Sequence, residues 1–308
     1  MEIFETPAAM QAWSDARRAS RQRVALVPTM GALHAAHLAL ISAAAGRGDV
    51  VVVSIFVNPL QFNRHDDFSS YPRPVDSDLA QCRAAGVDAV YAPTVDAMYP
   101  AGFQTHVVPG PLAEPMEGAG RPGHFLGVAT VVTKLFNAVR PDVAVFGQKD
   151  YQQLAVISRM VADLDMGIEI VAMATVREAD GLAMSSRNKR LDPLQREASR
   201  VVFAALRAVE DAAHGGEARA EALRDIGATL VGGEPMARLE YLEIVDPVTL
   251  QPVDELDLAG GASVLATIAA WFGEVRLIDN VLITAAPAAA SGSPSGSPSG
   301  SAAGAPHH

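Results

Sequence analysis

Two histidines three residues apart, His34 and His37, follow a short apolar run that ends at Pro28 and a glycine at Gly31. Histidines at positions i and i+3 lie on one face of a helix. The free backbone N–H groups and the dipole at a helix N-terminus favour an anion such as phosphate. The spacing therefore indicates two imidazoles that donate hydrogen bonds to a triphosphate. The plainer alternative is a helix start whose histidines are incidental.

A lysine and an arginine occupy two further turns that could bind the same anion. Lys149 follows an apolar run and a glycine, so its ammonium group can reach a ligand at a strand end while Asp150 holds or caps it. Arg187 follows two hydroxyl side chains, Ser185 and Ser186, and a guanidinium group binds phosphate oxygens as a fork. Each feature alone has an ordinary explanation, as a solvated surface pair or as a turn that leads into a helix.

Amide side chains stand near the same turns. Asn58 and Gln61 follow an almost wholly apolar run, and Pro59 forces the residue before it into an extended conformation. Gln153 lies four residues after Lys149, on the same face of a helix. Amides both donate and accept hydrogen bonds, which suits hydroxyl or carboxylate recognition. A surface turn is the better explanation of the Asn58 segment taken by itself.

Carboxylates for a magnesium ion are sparse near these turns. Magnesium in ATP sites takes one or two carboxylates plus phosphate oxygens, and Asp76 and Asp78 are the candidate ligands. Acidic residues at a helix start, such as Asp76 and Asp78, are also ordinary capping residues. A zinc site built from His34, His37 and Cys82 is disfavoured because no further ligand stands at a recognisable spacing.

Alternating strands and helices must position these turns. Strands alternating with helices between residue 24 and about residue 175 predict an α/β fold with a parallel sheet covered by helices on both faces. Ligands of such sheets bind beyond the carboxyl ends of the strands. We predict strands over 24–27, 50–57, 89–91, 143–146 and 168–172, with helices over 38–45, 76–85, 127–139 and 152–164.

The pattern changes after residue 175. Predicted helices over 193–213 and 217–230 precede predicted strands over 239–245, 263–270 and 275–283. This order indicates a smaller C-terminal α+β domain over 176–284 behind a first domain over 1–175. Residues 285–308 contain only Ala, Gly, Ser, Pro and His, so we expect a disordered tail.

Composition excludes some classes of partner. The 308 residues include 24 Lys or Arg and 35 Asp or Glu, for a net charge of −11, which disfavours nucleic acid as a partner. Phosphorylated small molecules stay possible because an acidic protein can hold a local basic pocket. No apolar run approaches the roughly 20 residues of a membrane span, and no signal peptide is recognisable. The single cysteine, Cys82, points to a reducing compartment, so we expect a cytoplasmic protein.

Five segments in one order, residues 28–38, 56–62, 121–132, 146–153 and 176–188, resemble the pantoate–β-alanine ligase family. The resemblance implies a Rossmann-like domain of the nucleotidyltransferase type, a small C-terminal lid domain and a homodimer. It also implies the substrates ATP, (R)-pantoate and β-alanine, with Mg²⁺. ATP and pantoate would give pantoyl adenylate and pyrophosphate, and β-alanine would then displace AMP to form pantothenate.

The resemblance also assigns roles to residues. The implied catalytic residues are His34, His37, Lys149, Ser185, Ser186 and Arg187. The implied ATP-binding residues are Met30, Gly31, His37, Gly147, Lys149, Asp150, Val176, Met184, Ser185, Ser186 and Arg187. Pantoate would be bound by Met30, Gln61 and Gln153, and magnesium by Asp78.

Two departures from the family pattern leave alternatives open. Ala35 and Ala36 stand where the family commonly has Glu-Gly, and the methyl group of Ala36 is expected to weaken ATP binding by crowding adenine. Ser77 stands where the family often has a second aspartate near the metal. The alternatives are an adenylyltransferase for a phosphorylated substrate, which should carry basic residues at positions 61 and 153, and a nucleotide-binding homologue that has lost catalysis. A purely structural protein would leave the polar strand-end turns unexplained.

Overall fold

The structure is a computed structural model that describes residues 1–63 and 65–285. Its strands are β1 (Glu2–Phe4), β2 (Val24–Thr29), β3 (Val50–Ile55), β4 (Ala89–Tyr91), β5 (Val143–Gly147), β6 (Glu169–Met173), β7 (Ala237–Val245), β8 (Val264–Phe272) and β9 (Val275–Ile283). Its helices are α1 (Pro7–Ala19), α2 (Ala35–Ala45), α3 (His65–Ser70), α4 (Val75–Ala84), α5 (Val95–Met98), α6 (Glu117–Gly120), α7 (His124–Val139), α8 (Tyr151–Asp163), α9 (Pro193–Ala198), α10 (Val201–His214) and α11 (Ala220–Gly232). Short 3₁₀ turns cover Pro59–Gln61, Pro111–Ala113, Gln148–Asp150 and Ser186–Arg190.

A parallel sheet forms the first half of the molecule. Within the described residues its strand order is β1-β4-β3-β2-β5-β6. β2 and β5 are neighbours, with Ala25 opposite Val143, although the chain leaves β2 toward β3 on the other side. The strand order therefore switches between β2 and β5. At such a point the carboxyl ends of the strands open a crevice for ligands, as the alternating pattern predicts.

Apolar side chains cover both faces of the central strands of the sheet. Along β2 and β3, Leu26 and Val52 face α1, α7 and α8, whereas Val27 and Val53 face α2 and α4. Successive residues of a strand point to opposite faces, so an unbroken apolar run is what a doubly covered strand requires. The predicted α/β class with a parallel sheet is confirmed.

The C-terminal unit has its own core. β7, β8 and β9 form an antiparallel sheet, and α10 and α11 pack on it through Leu206, Leu223, Ile268 and other apolar side chains. The predicted smaller α+β unit is thus confirmed as a fold class, while its boundary near residue 176 stays a prediction. The predicted tail lies outside the described residues except for Ala285.

Two local predictions need correction. The single helix predicted over 193–213 is divided into α9 and α10, and the Ser199 hydroxyl donates to the carbonyl oxygen of Arg196 at 2.8 Å at the division. No element was predicted before residue 24, where β1 and α1 lie. A three-residue strand is too short for alternation to reveal it. Within the described part of the chain, no helix has both the length and the apolar character needed to cross a bilayer.

A buried ion pair and a small apolar cluster join the two units. The Arg276 guanidinium of β9 donates to both oxygens of Glu117 in α6, at 2.8 and 2.7 Å, and the Tyr241 hydroxyl donates to the same carboxylate at 2.8 Å. Burial opposes ionisation of Glu117, yet hydrogen bonds from Arg276 and Tyr241 leave its pKa lowered. Leu250 and Leu265 pack nearby against Met116, which precedes α6, and against residues of α8. The C-terminal unit is therefore docked against the side of the parallel sheet domain.

Candidate active site

The turns after β2, β3, β5 and β6 converge on one cavity of about 240 Å³, which the hairpin after β6 also borders. All the site residues predicted from the sequence lie on its wall, except Gly31 and Asp78. Those on the wall are Met30, His34, His37, Gln61, Gly147, Lys149, Asp150, Gln153, Val176, Met184, Ser185, Ser186 and Arg187. Segments far apart in the chain thus contribute to a single site.

The backbone of the turn after β2 is held by hydrogen bonds to Asp78. Gly31 and Ala32 both have positive φ, +77° and +51°, so the backbone here needs external support. The Asp78 carboxylate, 1% exposed, accepts the backbone N–H groups of Ala32 and Leu33, each at 2.8 Å. A Cβ on Gly31 would lie 2.9 Å from Asp78 Oδ2, which explains the glycine.

This placement argues against the expectation that Asp78 binds magnesium. Both of its oxygens are engaged by the turn, and its side chain does not reach the cavity wall. No group of three or more His, Cys, Asp or Glu side chains that could hold a metal occurs among the described residues. The zinc alternative likewise finds no support, because Cys82 of α4 is buried in the apolar core and does not line the cavity that the two histidines line.

The two histidines meet at the start of α2. Their ring centroids are 4.1 Å apart, and the His34 backbone N–H donates to His37 Nδ1 at 3.3 Å. His37 Nδ1 is therefore an acceptor, and the neutral ring carries its proton on Nε2. Burial, and then the neighbouring His34, lower the pKa of His37 to about 3. Burial and the Lys149 charge also lower the pKa of His34. Both rings act as neutral hydrogen-bond donors near pH 7.

Lys149 occupies the turn that ends β5. Its side chain is 17% exposed, and its Nζ lies 3.9 Å from Asp150 Oδ1, while the Asp150 side chain is 51% exposed. The Lys149 charge contributes to the lowered pKa of His34, so the ammonium group and the histidine pair belong to the same electrostatic environment. A fixed cation beside neutral donors is a suitable environment for phosphate oxygens.

A short hairpin presents the Ser-Ser-Arg segment. The Met184 backbone N–H donates to the Val176 carbonyl oxygen at 2.9 Å, which closes the hairpin at its base. The Ser185 hydroxyl oxygen then accepts the Arg187 backbone N–H at 3.2 Å. Asn188 Nδ2 donates to the Ala183 carbonyl oxygen at 3.0 Å. These hydrogen bonds fix the backbone conformation of the segment.

Asn58 organises the amide side of the cavity. The Tyr99 hydroxyl, whose pKa is raised by burial, donates to Asn58 Oδ1 at 2.8 Å. Asn58 Nδ2 in turn donates to Gln61 Oε1 at 3.0 Å. The Gln61 oxygen is thereby engaged, and its NH₂ group, 3.1 Å from Met30 Sδ, is the end that can serve a ligand. This end donates, so it suits an oxygen acceptor such as a carboxylate.

Arg121 and His124 are wall residues that the residue-by-residue reasoning left without a role. Arg121 Nη2 donates to the Gln61 carbonyl oxygen at 3.0 Å, and His124 Nδ1 donates to the same oxygen at 2.8 Å. Arg121 Nη1 donates to His124 Nε2 at 3.2 Å. Burial, and then the Arg121 charge, lower the pKa of His124 to about 4. Tyr99 was absent from the predicted residues, and Asn58 was predicted as a polar amide of the turn after β3 without an assigned ligand. Two features of the sequence could have indicated these residues: Asn58 follows a strand end, and Arg121 and His124 are three residues apart at the start of α7.

The cavity is a basic pocket in an acidic protein. Among the described residues on its wall, the permanent charges are those of Arg121, Lys149, Arg187 and the single carboxylate Asp150. The neutral rings of His34 and His37 add donors without adding charge, whereas the single N–H of His124 is used on the Gln61 carbonyl oxygen. The cavity therefore combines cations that can bind a polyanion with amide side chains that can bind a smaller polar acid.

Comparison with known proteins gives a consistent result. The family described as pantoate-beta-alanine ligase matches residues 2–282 of the chain. A pantothenate synthetase from Salinibacter ruber is 50% identical over 298 residues, covering 94% of this chain and 100% of the relative. A pantothenate synthetase from Mycolicibacterium smegmatis is 49% identical over 290 residues, covering 94% of this chain and 90% of the relative.

Solved structures agree with the sequence comparison. The crystal structure of pantothenate synthetase from Thermus thermophilus superposes with a TM-score of 0.83 at 46% identity, covering 91% of this chain and 99% of the other. A pantoate-beta-alanine ligase from Francisella tularensis, complexed with beta-gamma ATP and beta-alanine, gives 0.74 at 33% identity, covering 92% and 97%.

Proposed function

The chain belongs to the pantoate–β-alanine ligase family, and we propose that the cavity at the carboxyl edge of its parallel sheet is where the reaction occurs. The enzyme is an AMP-forming C–N ligase that condenses (R)-pantoate with β-alanine to pantothenate, with cleavage of ATP. The observation that carries the assignment to this cavity is that the cations Lys149 and Arg187 line it together with the amides of Gln61 and Gln153. The related adenylyltransferase is disfavoured because positions 61 and 153 are glutamine rather than basic.

The first step joins two anions. A pantoate carboxylate is already ionised near neutral pH, so no general base is needed for its attack on the α-phosphorus of ATP. Pyrophosphate leaves, and pantoyl adenylate forms. The barrier lies in bringing the anions together and in stabilising charge on the phosphoryl oxygens. Lys149 and Arg187 supply fixed positive charge for this, and His37 supplies an Nε2–H donor.

The amide side chains of the cavity orient pantoate. Gln61 presents its NH₂ group because Asn58 engages its oxygen, so it can donate to a pantoate oxygen. Gln153 on α8 lines the same cavity and can bind the remaining polar groups, together with Met30. Fixing the acid in this way turns an encounter of two anions into an oriented reaction.

In the second step the β-alanine amine attacks the mixed anhydride, a C–N bond forms, and AMP leaves. The amine must lose a proton as the bond forms. A ring with a pKa near 3 is a poor base at neutral pH, so His37 acts as a donor and does not hold that proton.

Magnesium enters this proposal with ATP. The cavity offers one carboxylate for it, Asp150, whose side chain is half-exposed and stands beside Lys149. Mg²⁺ in ATP sites keeps phosphate oxygens and water as its main ligands, so one carboxylate is an adequate protein contribution. The ion would neutralise charge on the phosphates. Asp78 takes no part because its oxygens support the turn after β2.

We also propose a homodimer that works in the cytoplasm. The first point follows from the family resemblance, and the second from a single cysteine, Cys82, buried without a disulfide partner. Sedimentation equilibrium should give twice the mass of one chain, and a single-chain mass would refute the dimer.

A rate assay tests the proposed function. AMP formation should require ATP, pantoate, β-alanine and Mg²⁺ together, and labelled pyrophosphate should exchange into ATP with pantoate but without β-alanine. Lys149→Ala should lower kcat by about 10²-fold or more while the fold is retained. Arg159→Ala, which removes an exposed cation from α8, is the matched control and should keep the normal rate. ATP binding with neither activity would indicate the inactive homologue instead.

A further inference from the structure

Two adjacent residues of β9 reach from the C-terminal unit to the turns that carry the cationic side chains. Asp279 is 1% exposed and Asn280 is 6% exposed, so both are buried polar groups. A buried polar group of this kind is stable only where its hydrogen bonds are made. Their partners lie outside β9, in two segments that border the cavity.

Asn280 holds the backbone of the Lys149 turn. Its Nδ2 donates to the Gln148 carbonyl oxygen at 3.0 Å and to the Lys149 carbonyl oxygen at 2.8 Å. Both amide hydrogens are therefore used on consecutive residues of one 3₁₀ turn. A single turn of this kind has few hydrogen bonds of its own, so this contact fixes the direction in which the Lys149 side chain leaves the backbone.

Asp279 holds the base of the Ser-Ser-Arg hairpin. Arg177, the first residue after Val176, donates from Nη1 and Nη2 to the two Asp279 oxygens. Arg177 Nη1 also donates to the Gly181 carbonyl oxygen at 3.1 Å, and its guanidinium stacks 4.2 Å from the Phe203 ring centre. A bidentate pair with stacking on one side permits little rotation, so the hairpin is anchored to β9.

We propose that Asp279 and Asn280 are positioning residues that set the spacing between Lys149 and the Ser185–Arg187 loop before ATP arrives. Adjacent residues of one strand are held at a fixed separation. The turn after β5 is bonded to Asn280, and the hairpin after β6 is bonded to Asp279, so one strand sets the positions of both. The C-terminal unit thus positions the phosphate-binding groups, in addition to any role as a lid. This inference rests on the proposed role of Lys149 in the first step.

The decisive variant is Asn280→Ala, with Asn280→Ser as a milder change that keeps one donor. Asn280→Ala should lower kcat for pantoate-dependent pyrophosphate exchange by about 10- to 100-fold, since a displacement of about 1 Å has an effect of this order. It should also weaken ATP binding in calorimetry, with KM for pantoate changed less than about 2-fold. Asn280→Ser should fall between Asn280→Ala and the wild type. Ile268→Val, in the core of the same sheet, is the control for a purely structural loss and should keep the normal rate per folded molecule.

A double-mutant comparison separates positioning from general damage. If Asn280 acts through Lys149, then Asn280→Ala should change the exchange rate less than about 2-fold in a Lys149→Ala background. An equal fall in both backgrounds would overturn the inference, as would normal rate and normal ATP affinity in Asn280→Ala. Normal exchange by Lys149→Ala itself would refute the proposed role of Lys149, and the inference with it. A Lys149→Ala defect beside a normal Asn280→Ala would refute the inference alone.

Discussion

Replacing Asp78 with asparagine distinguishes a support for the first turn from a magnesium ligand. Asp78 accepts two backbone N–H groups, from Ala32 and Leu33, at 2.8 Å in a buried position. An asparagine at this position would keep one oxygen, now neutral, and would turn an NH₂ group toward an N–H donor. The change keeps the shape of the side chain, so its effect reports the lost hydrogen bonds.

The size of the effect follows from these two contacts. A hydrogen bond to a charged acceptor contributes roughly 1.5–3 kcal/mol, and a buried donor left unpaired costs roughly 1–3 kcal/mol. Because one weakened bond remains, we expect Asp78→Asn to lower the free energy of unfolding by about 2–4 kcal/mol. Ala32 has positive φ and lies two residues before His34, so loosening the turn should also raise KM for ATP.

Urea unfolding in metal-free buffer with a chelator measures this prediction. Asp76→Asn, an exposed change in the same first turn of α4, is the matched control and should stay within about 0.5 kcal/mol of the wild type. The Mg²⁺ concentration that gives half-maximal exchange should be unchanged in Asp78→Asn. Wild-type stability without metal, together with a tenfold or larger rise in that concentration, would show that Asp78 is a metal ligand.

Three further predictions concern the cavity wall. Ala36→Gly should lower KM for ATP in steady-state assays, because Ala36 lines the cavity and its methyl group should crowd the adenine; an unchanged KM would show that the pocket has adapted. Tyr99→Phe should raise KM for pantoate about 2- to 10-fold with KM for ATP unchanged, because it removes the hydroxyl that fixes Asn58; equal changes in both constants would refute this relay. The pKa values of His37 and His124, about 3 and about 4, lie below the ordinary 6.5, so the unfolded chain takes up protons first as pH falls. Urea titrations should show full stability above pH 6.5 and a loss toward pH 4 of up to ~1.4 kcal/mol per pH unit per histidine. The loss should be less steep in His124→Gln, whereas the exposed control His214→Asn should lose stability as steeply as the wild type.

The strands of the parallel sheet could be predicted because a strand buried on both faces requires an unbroken run of apolar residues, which is visible in the local sequence. Val50 to Ile55 are all buried, and the sequence there is an apolar run interrupted only by Ser54. The helix over 193–213 could not be divided correctly, because the division depends on partners elsewhere. Arg196 of α9 and Arg200 at the division both donate to Asp180 in the hairpin.

The site was predictable to the extent that strand ends and residue types define it. Turns at the carboxyl ends of parallel strands meet at one edge, so Lys149 and the histidines could be grouped without knowing any distance. The supports were not predictable in this way. Asp78 lies 46 residues from Ala32, and Asn280 lies 132 residues from Gln148. Nothing in the local sequence of either residue distinguishes it from a helix-capping aspartate or a strand asparagine.

The separation of supports from ligand-facing groups explains how this chain tolerates Ala35 and Ala36 between its histidines. The turn before them is held through its backbone by Asp78, and His34 N–H is bonded by His37, so neither contact uses the side chains at positions 35 and 36. Alanine also has the highest helix propensity, which favours the first turn of α2. The substitution therefore leaves the geometry of the two imidazoles intact, and its consequence should be confined to the space available for the nucleotide.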